Sequence, residues 1–107
     1  MKAKICVLAT LSGALLLATT CGAAKGKIDG KAEFEKLCSG CHPDGGNTIN
    51  PSKTLMKMTR EANGVKSVRD IVRKIRKPGP GMKQYDKKEL SDAKAKAIAE
   101  YVIKTFK

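Results

Sequence analysis

Residues 37–46 read LCSGCHPDGG and place two cysteines three positions apart, followed at once by a histidine. That histidine, His42, is the only one among the 107 residues of the chain. Thiols and imidazoles are the side chains that most often bind metals and cofactors. The chemistry of this short stretch therefore decides how the rest of the chain is interpreted.

The start of the chain has the pattern of an export signal. Lys2 and Lys4 form a short positive region, and residues 5–18 carry no charged side chain. This apolar run is too short to cross a bilayer comfortably, which is typical of a signal peptide. A hydrophobic core helix is a weaker interpretation, because no other segment is apolar enough to pack against it.

Two cleavage positions are compatible with this signal. Cleavage after Ala24 removes residues 1–24 and leaves 25–107 as the mature domain. Cleavage after residues 1–20 would instead make the protein a lipoprotein, with a lipidated Cys21 that anchors it to a membrane. The residues before Cys21 depart from the usual Leu-Ala-Gly-Cys pattern, whereas the small residues after it suit a tether, so both remain open.

Size and charge limit what the chain does. A domain this small buries a limited core, so a disulfide, metal or cofactor is expected to stabilise it. The net charge of +12 keeps a small protein soluble and also attracts acidic partner proteins or anionic surfaces. Nucleic acid is disfavoured, because an exported protein rarely meets it and the basic residues are not interleaved with aromatic ones.

The hydrophobic pattern predicts an all-α fold of about four helices, and no segment of useful length alternates with period two. Asp29 is expected to cap the first helix, which runs into the cysteine motif. Residues 43–51 form a loop. A second helix is expected to start at Ser52 and to stop at Gly64. Its inward side chains would be Leu55, Met58 and Ala62.

Two further helices follow. Residues 67–70, Ser-Val-Arg-Asp, have the spacing of a capping box, and an apolar stripe comes after them. This stripe consists of Val68, Ile71, Val72 and Ile75. Residues 78–81, Pro-Gly-Pro-Gly, then break the chain. The last helix is expected to start near Ser91. It presents Ala95, Ile98, Ala99, Val102, Ile103 and Phe106.

The pattern Cys38-Ser39-Gly40-Cys41-His42 is typical of c-type haem attachment. Two thiols on successive turns at a helix end suit thioether bonds to one edge of a porphyrin, and His42 then points its imidazole at the iron. A covalent haem would also fill the interior of a small domain. The motif therefore predicts one haem c bound by Cys38, Cys41 and His42.

Three other uses of the motif are weaker. Zinc prefers four ligands, and the mature chain offers two thiols and one imidazole if Cys21 is lipidated or lost. A dithiol oxidoreductase needs a preceding strand in a βαβ unit, and the pattern shows none. A plain disulfide would close a very small loop and leave His42 unexplained.

The sixth iron ligand is a separate prediction. With no second histidine, the candidates are lysines and the methionines at 56, 58 and 82. Met58 is expected on the inward face of a helix, where methionine usually packs, and Met56 lies off that stripe. Met82 follows the helix-free segment 78–81, which can run across a flat porphyrin face. We favour Met82, since His/Met ligation suits electron transfer, with an open or lysine-bound iron as the alternative.

The sequence resembles the class I monohaem cytochromes c, closest to the c-six type, over most of residues 28–107. The residues that carry the resemblance are Phe34, CSGCH at 38–42, Gly-Gly-Asn at 45–47, Lys53-Thr54-Leu55, Gly64, Met82 with Tyr85 three positions later, and AEYV at 99–102. The resemblance implies that Gly30 and Phe34 meet Tyr101 where the first and last helices cross. It also implies that Asn47 and Lys53 lie near the haem edge.

Two features depart from the family. Lys83 stands where the family usually has a proline after the axial methionine, and the charge is strongly positive. With the potential lipid anchor at Cys21, these features resemble the small outer-membrane monohaem cytochromes of metal-respiring bacteria. The expected location is the periplasm, with anchoring to the outer membrane if Cys21 is lipidated.

The function expected from these patterns is one-electron transfer in an extracytoplasmic respiratory chain, by a monomer that meets acidic redox partners and is not an enzyme. The single histidine is used by iron, which leaves no general acid or base. Two alternatives remain: a five-coordinate, peroxidase-like haem enzyme, and a haem-based redox or gas sensor or structural lipoprotein. The first would bind cyanide or carbon monoxide rapidly, and a sensor would need a partner domain.

Overall fold

The computed structural model of the protein describes residues 26–107, so the export signal and Cys21 lie outside the described residues. This part of the chain contains no β-strand, and the predicted all-α fold is confirmed. Its four α-helices are α1 (Gly30–Leu37), α2 (Lys57–Ala62), α3 (Val68–Arg76) and α4 (Asp92–Thr105), with a single 3-10 turn at Pro43–Gly45. None of the helices between residues 26 and 107 has the length and apolar character needed to cross a membrane.

The N-terminus of α1 is capped as the sequence predicts. The Asp29 carboxylate accepts hydrogen bonds from the backbone N–H groups of Lys31, at 2.9 Å, and Ala32, at 3.2 Å. At the other end, the Cys38 N–H donates to the Phe34 carbonyl over 2.8 Å. Because the first cysteine is bonded to the last turn of α1, the helix fixes where the cysteine motif begins.

The core lies where α1 and α3 pack against α4. Its buried apolar side chains are Phe34, Ile71, Ile75, Leu90, Ala95, Ile98, Ala99, Val102 and Phe106. The stripes predicted for the third and fourth helices are therefore confirmed in their main members. Val68 and Val72 are partly buried beside this core.

Helices α1 and α4 touch at Gly30. A Cβ atom at this position would lie 2.2 Å from the Ala97 carbonyl oxygen and 3.3 Å from Tyr101 Cβ. Nearby, the Phe34 ring packs on the rings of Tyr101, at 5.3 Å between centroids, and Phe106, at 5.6 Å. The contact that the family resemblance implied between these helices is confirmed, and only a glycine allows the backbones so close.

The capping box of α3 is confirmed. Ser67 Oγ accepts from the Asp70 N–H at 3.1 Å, and the Asp70 carboxylate accepts from the Ser67 N–H at 3.0 Å. The carboxylate also accepts from the Lys66 N–H at 2.9 Å and from the Arg73 guanidinium. The hydrogen bond from Lys66, followed by those involving Ser67 and Arg73, lowers the pKa of Asp70 from 3.8 to about 2.

We expect Asp70→Asn to lower the stability of the protein at neutral pH and to make little difference near pH 2. A carboxyl whose pKa falls on folding stabilises the folded state above its unfolded pKa, and this contribution is lost as the pH falls through the folded value. The contribution of Asp70 to stability is therefore lost as the pH falls from 3.8 to about 2. Urea unfolding of both proteins across this range measures the difference, and a difference that stays constant would contradict the linkage.

The second helix differs from the prediction. It begins at Lys57 rather than Ser52 and has only six residues. Met58 is 85% exposed instead of inward, and Ala62 is also exposed. Hydrogen bonds from Ser52 to the Asn50 side chain keep the preceding segment in a turn, which delays the helix.

A buried arginine, Arg60, takes the inner face of α2. Its side chain is 5% exposed, and it donates from Nε to the Leu55 carbonyl at 2.7 Å and from Nη2 to the Phe106 carbonyl at 3.4 Å. The guanidinium therefore joins the loop before α2 to the C-terminus of the chain. Of the predicted bounds of α2, only the end is confirmed. The helix stops at Ala62, two residues before Gly64, which has a left-handed backbone with φ +80°.

Candidate functional site

The two cysteines of the motif lie on one irregular turn that continues α1. The N–H groups of Cys41 and His42 both donate to the Cys38 carbonyl, at 3.2 and 2.9 Å. No disulfide joins the two cysteines, and Cys38 is partly buried whereas Cys41 is exposed. Before a cofactor is attached, burial raises the pKa of the Cys38 thiol to about 11.

The His42 ring is oriented by the backbone just after it. Its Nδ1 lies 2.8 Å from the Gly46 carbonyl oxygen. Because a carbonyl only accepts, this hydrogen bond requires the proton on Nδ1 and leaves the lone pair on Nε2. A neutral imidazole with its Nδ1 held in this way is the form in which histidine ligates a metal through Nε2.

The loop that carries this carbonyl has a strained backbone. Asp44 has φ +52° and Gly45 has φ +83°, both in the left-handed region. Gly45 is buried, and a Cβ atom there would lie 2.6 Å from the Phe106 ring. Its carbonyl accepts from the Leu55 N–H at 2.7 Å. The loop is thus locked between the C-terminal aromatic ring and the segment before α2, which keeps His42 in place.

Asn47 and Lys53 lie in one turn. The Asn47 side-chain amide donates to the Lys53 carbonyl at 2.9 Å, and its oxygen accepts from the N–H groups of Ile49 and Asn50. The Lys53 side chain is exposed. The polar atoms of Asn47 therefore organise the loop that follows the motif, and the predicted contact of both residues with a haem edge stays a prediction.

The methionines differ in exposure. Met58 is 85% exposed, whereas Met56 and Met82 are each 36% exposed. Met56 is the N-cap residue of α2, and Met82 lies in the helix-free segment between α3 and α4. The prediction that Met58 faces inward was wrong, because α2 starts five residues later than the pattern suggested.

Lys83, which replaces the proline expected after Met82, has two partners. Its ammonium forms an ion pair with Glu89 and lies 4.7 Å from the centroid of the Tyr85 ring. The hydrogen bond to Glu89 raises the pKa of Lys83. These contacts restrain the chain immediately after Met82, a function that a proline would serve through its fixed φ.

The chemistry of the motif and the partly uncovered apolar side chains of the core fit a haem. The side chains that pack on the core with part of their surface uncovered are Leu37, Cys38, Leu55, Val65, Val68, Val72, Tyr85, Tyr101 and Ile103. Most of these are apolar, as the contacts of a porphyrin would require, and the motif itself offers two thiols for attachment and one oriented imidazole as an iron ligand. Residues 26–107 contain no cluster of three His, Cys, Asp or Glu side chains arranged for a metal ion.

Comparisons with known proteins give one family. Residues 27–102 match the family model described as cytochrome c oxidase, cbb3-type, subunit III. The chain is 43% identical over 74 residues to cytochrome c6 of Synechocystis and 38% identical over 81 residues to cytochrome c6 of Leptolyngbya boryana. These alignments cover 69% and 76% of the chain, but 61% and 88% of the relatives.

Solved structures show the same likeness. Outer-membrane cytochrome F, OmcF, of Geobacter sulfurreducens is 47% identical, with a TM-score of 0.71 over 73% of this chain and 99% of that one. Cytochrome c6C of Synechococcus is 32% identical, with a TM-score of 0.67 over 72% of this chain and 93% of that one. The similarity therefore covers the helical domain and includes the residues of the cysteine motif.

Proposed function

Because the chain belongs to the class I monohaem cytochromes of the c6 type, we propose that it is a one-electron carrier of an extracytoplasmic respiratory chain. Like its relatives, it carries one covalently attached c-type haem and is not an enzyme. The mature domain is proposed to be residues 25–107. The side chains proposed to hold the haem are Cys38, Cys41, His42 and Met82.

Cys38 and Cys41 are the proposed attachment points. Each thiol forms one thioether, and the turn that joins the two cysteines sets their separation along one porphyrin edge. Partly uncovered apolar side chains of the core, among them Leu55 and Val72, would supply apolar contacts for a haem attached at these cysteines. Such contacts would exclude water from the haem and enlarge the apolar core of a small domain.

The hydrogen bond between His42 and Gly46 is the observation that best supports this assignment. It holds the proton on Nδ1, which lies 2.8 Å from the Gly46 carbonyl oxygen, and leaves the lone pair of Nε2 to ligate iron. The proposed role of His42 is therefore a permanent axial ligand. A hydrogen bond to the far nitrogen also raises the basicity of the ligating one, which stabilises the more highly charged state of the metal.

Met82 is the proposed second axial ligand. It lies at a bend that follows the turn at residues 80–81, is 36% exposed, and is followed by Lys83, whose contacts with Glu89 and Tyr85 restrain the backbone. When bound, the haem iron stores the transferred electron by cycling between its ferric and ferrous states. Two ligands that the chain holds in place, His42 and Met82, would keep rearrangement small during that change.

The surface suggests acidic redox partners. Most acidic side chains already form ion pairs with lysines or arginines, whereas exposed cations such as Arg69 and Lys74 remain on α3. Their field would steer an acidic protein into contact and would weaken with salt. The proposed location is the periplasm, with attachment to the outer membrane if Cys21 is lipidated, and the proposed state is a monomer.

Met82→Ala tests the ligand assignment. The oxidised parent protein is expected to show the thioether-to-iron charge-transfer absorption band, and the variant should lose it and have a lower reduction potential. The lower potential follows because a methionine ligand favours the reduced iron. Absorption spectra and a redox titration of both purified proteins, with their intact masses, measure these changes and report whether Cys21 is lipidated.

Met58→Ala and Met56→Ala are the matched controls. Met58 is 85% exposed, so its replacement should leave the band unchanged. A band that persists in Met82→Ala and disappears in Met56→Ala would assign the ligand to Met56 instead. Rapid binding of carbon monoxide to the reduced parent protein would indicate an open iron position and favour a peroxidase-like enzyme.

A further inference from the structure

The segment that carries Met82 forms a closed loop. We call residues 77–84 the Met82 loop. Its two ends meet at two hydrogen bonds. The backbone N–H of Tyr85 donates to the Ile75 carbonyl at 3.2 Å, and the side-chain amide of Gln84 donates to the Arg76 carbonyl at 2.8 Å. These two bonds form the neck of the loop, at the C-terminal end of α3.

The Arg76 guanidinium lies across the same neck. Its Nη1 donates to the carbonyls of Tyr85, at 3.1 Å, and Leu90, at 2.9 Å, and its Nη2 donates to Asp92 at 2.7 Å. The Arg76 side chain is 17% exposed. One side chain thus connects the end of α3, the exit of the loop and the first turn of α4.

Tyr85 extends this connection to the cysteine motif. Its hydroxyl donates to the Leu37 carbonyl at 3.3 Å, and Leu37 is the residue before Cys38. The carbonyl of the same tyrosine is one of the acceptors of Arg76. Tyr85 thus makes three hydrogen bonds, to Ile75, Arg76 and Leu37, and these connect the exit of the loop to the cysteine motif.

The contacts of Arg76 favour a positioning role over a purely stabilising one. Its Nε is buried, and no hydrogen-bond partner for it is found within residues 26–107. A buried N–H without a partner costs free energy, and an ion pair whose carboxylate is 64% exposed, as that of Asp92 is, adds little net stability. A planar guanidinium with several N–H donors does, however, fix the geometry of the groups that it binds.

We propose that Arg76 is a positioning residue for the axial methionine: it closes the Met82 loop and holds the loop at the distance from the cysteine motif that ligation needs. This inference rests on the proposed ligation by Met82. It assigns part of the control of the iron site to a side chain that does not contact the iron, through Tyr85 and the neck of the loop.

The experiment compares Arg76→Met with Arg69→Met in the full haem-bearing protein. Arg69 is on the same helix and is exposed, so its replacement removes the same charge without touching the loop. The rate at which cyanide replaces the methionine in the oxidised protein, at saturating cyanide, reports how often the loop opens. Circular dichroism under urea reports the stability of the helices separately, and the reduction potential is measured for each variant.

We expect Arg76→Met to speed cyanide binding about tenfold, which corresponds to ~1.4 kcal/mol, and to lower the potential. Arg76→Lys should lie between it and the parent, and Arg69→Met should match the parent. Should Arg76→Met fail to fold, Gln84→Ala removes only the second contact at the neck and is expected to speed binding by a smaller factor.

Equal cyanide rates in Arg76→Met, Arg69→Met and the parent, with the charge-transfer band present in all, would overturn the positioning role and leave the proposed function intact. A faster rate matched by an equal loss of helix stability would also overturn it, since Arg76 would then be merely structural. Absence of the band from the parent would instead overturn the Met82 assignment, and the inference with it.

Discussion

Gly30→Ala is expected to destabilise the protein by about 3 kcal/mol, at the upper end of the cost of overpacking a core. The added methyl group would lie 2.2 Å from the Ala97 carbonyl oxygen, so α1 and α4 would have to separate. Alanine normally stabilises a helix by up to ~1 kcal/mol relative to glycine, but that gain is smaller than the clash. Separation would also disturb the packing of Phe34 on Tyr101.

Urea unfolding followed by circular dichroism measures this effect. Gly79→Ala is the matched control, because a Cβ at Gly79 would meet nothing within 4 Å and its φ is not in the left-handed region. The control should stay within about 0.5 kcal/mol of the parent. If the two variants were equally stable, the close approach of the helices would not be needed for the fold.

His42→Ala is expected to abolish the six-coordinate spectrum while leaving the haem attached. Cys38 and Cys41 still supply both thioethers, so the intact mass should fall only by the difference between the two side chains. The proximal nitrogen, however, is gone, and the chain contains no other histidine to replace it. Electron exchange at the parent potential should therefore be lost entirely.

Added imidazole provides the control for this variant. The free ligand fits the space that the side chain leaves, and it should restore a nitrogen-ligated spectrum in a concentration-dependent way. Since Gly46 no longer orients a tethered ring, the restored site should bind imidazole reversibly. An unchanged spectrum in His42→Ala without imidazole would show that another residue is the proximal ligand.

Local patterns predicted the features that neighbouring residues decide. The caps at Asp29 and Ser67 involve hydrogen bonds within three or four residues, so their sequence signals were sufficient. The apolar stripes of α3 and α4 were predictable for the same reason. The second helix was mispredicted at its start because hydrogen bonds within residues 47–53 compete with the helix, and periodicity does not report such competition.

The structural roles of Arg60 and Arg76 were missed for a different reason. Arg60 and Arg76 lie in helices that also carry exposed basic residues, such as Arg69, and nothing in the local sequence distinguishes them. Their acceptors are backbone carbonyls that come near only after folding, for example Phe106 for Arg60 and Leu90 for Arg76. A carbonyl acceptor has no sequence signature, since every residue provides one.

The sequence by itself determined the helical class and the caps, because both depend on residue types and on their spacing along the chain. The roles of Cys38, Cys41 and His42 follow from the same kind of pattern and stay predictions. Only the tertiary structure decided which nitrogen of His42 is available and that Met58 faces outward. It also decided that Arg76 closes the Met82 loop. These features depend on atoms from distant segments, whose proximity is set by how the helices pack.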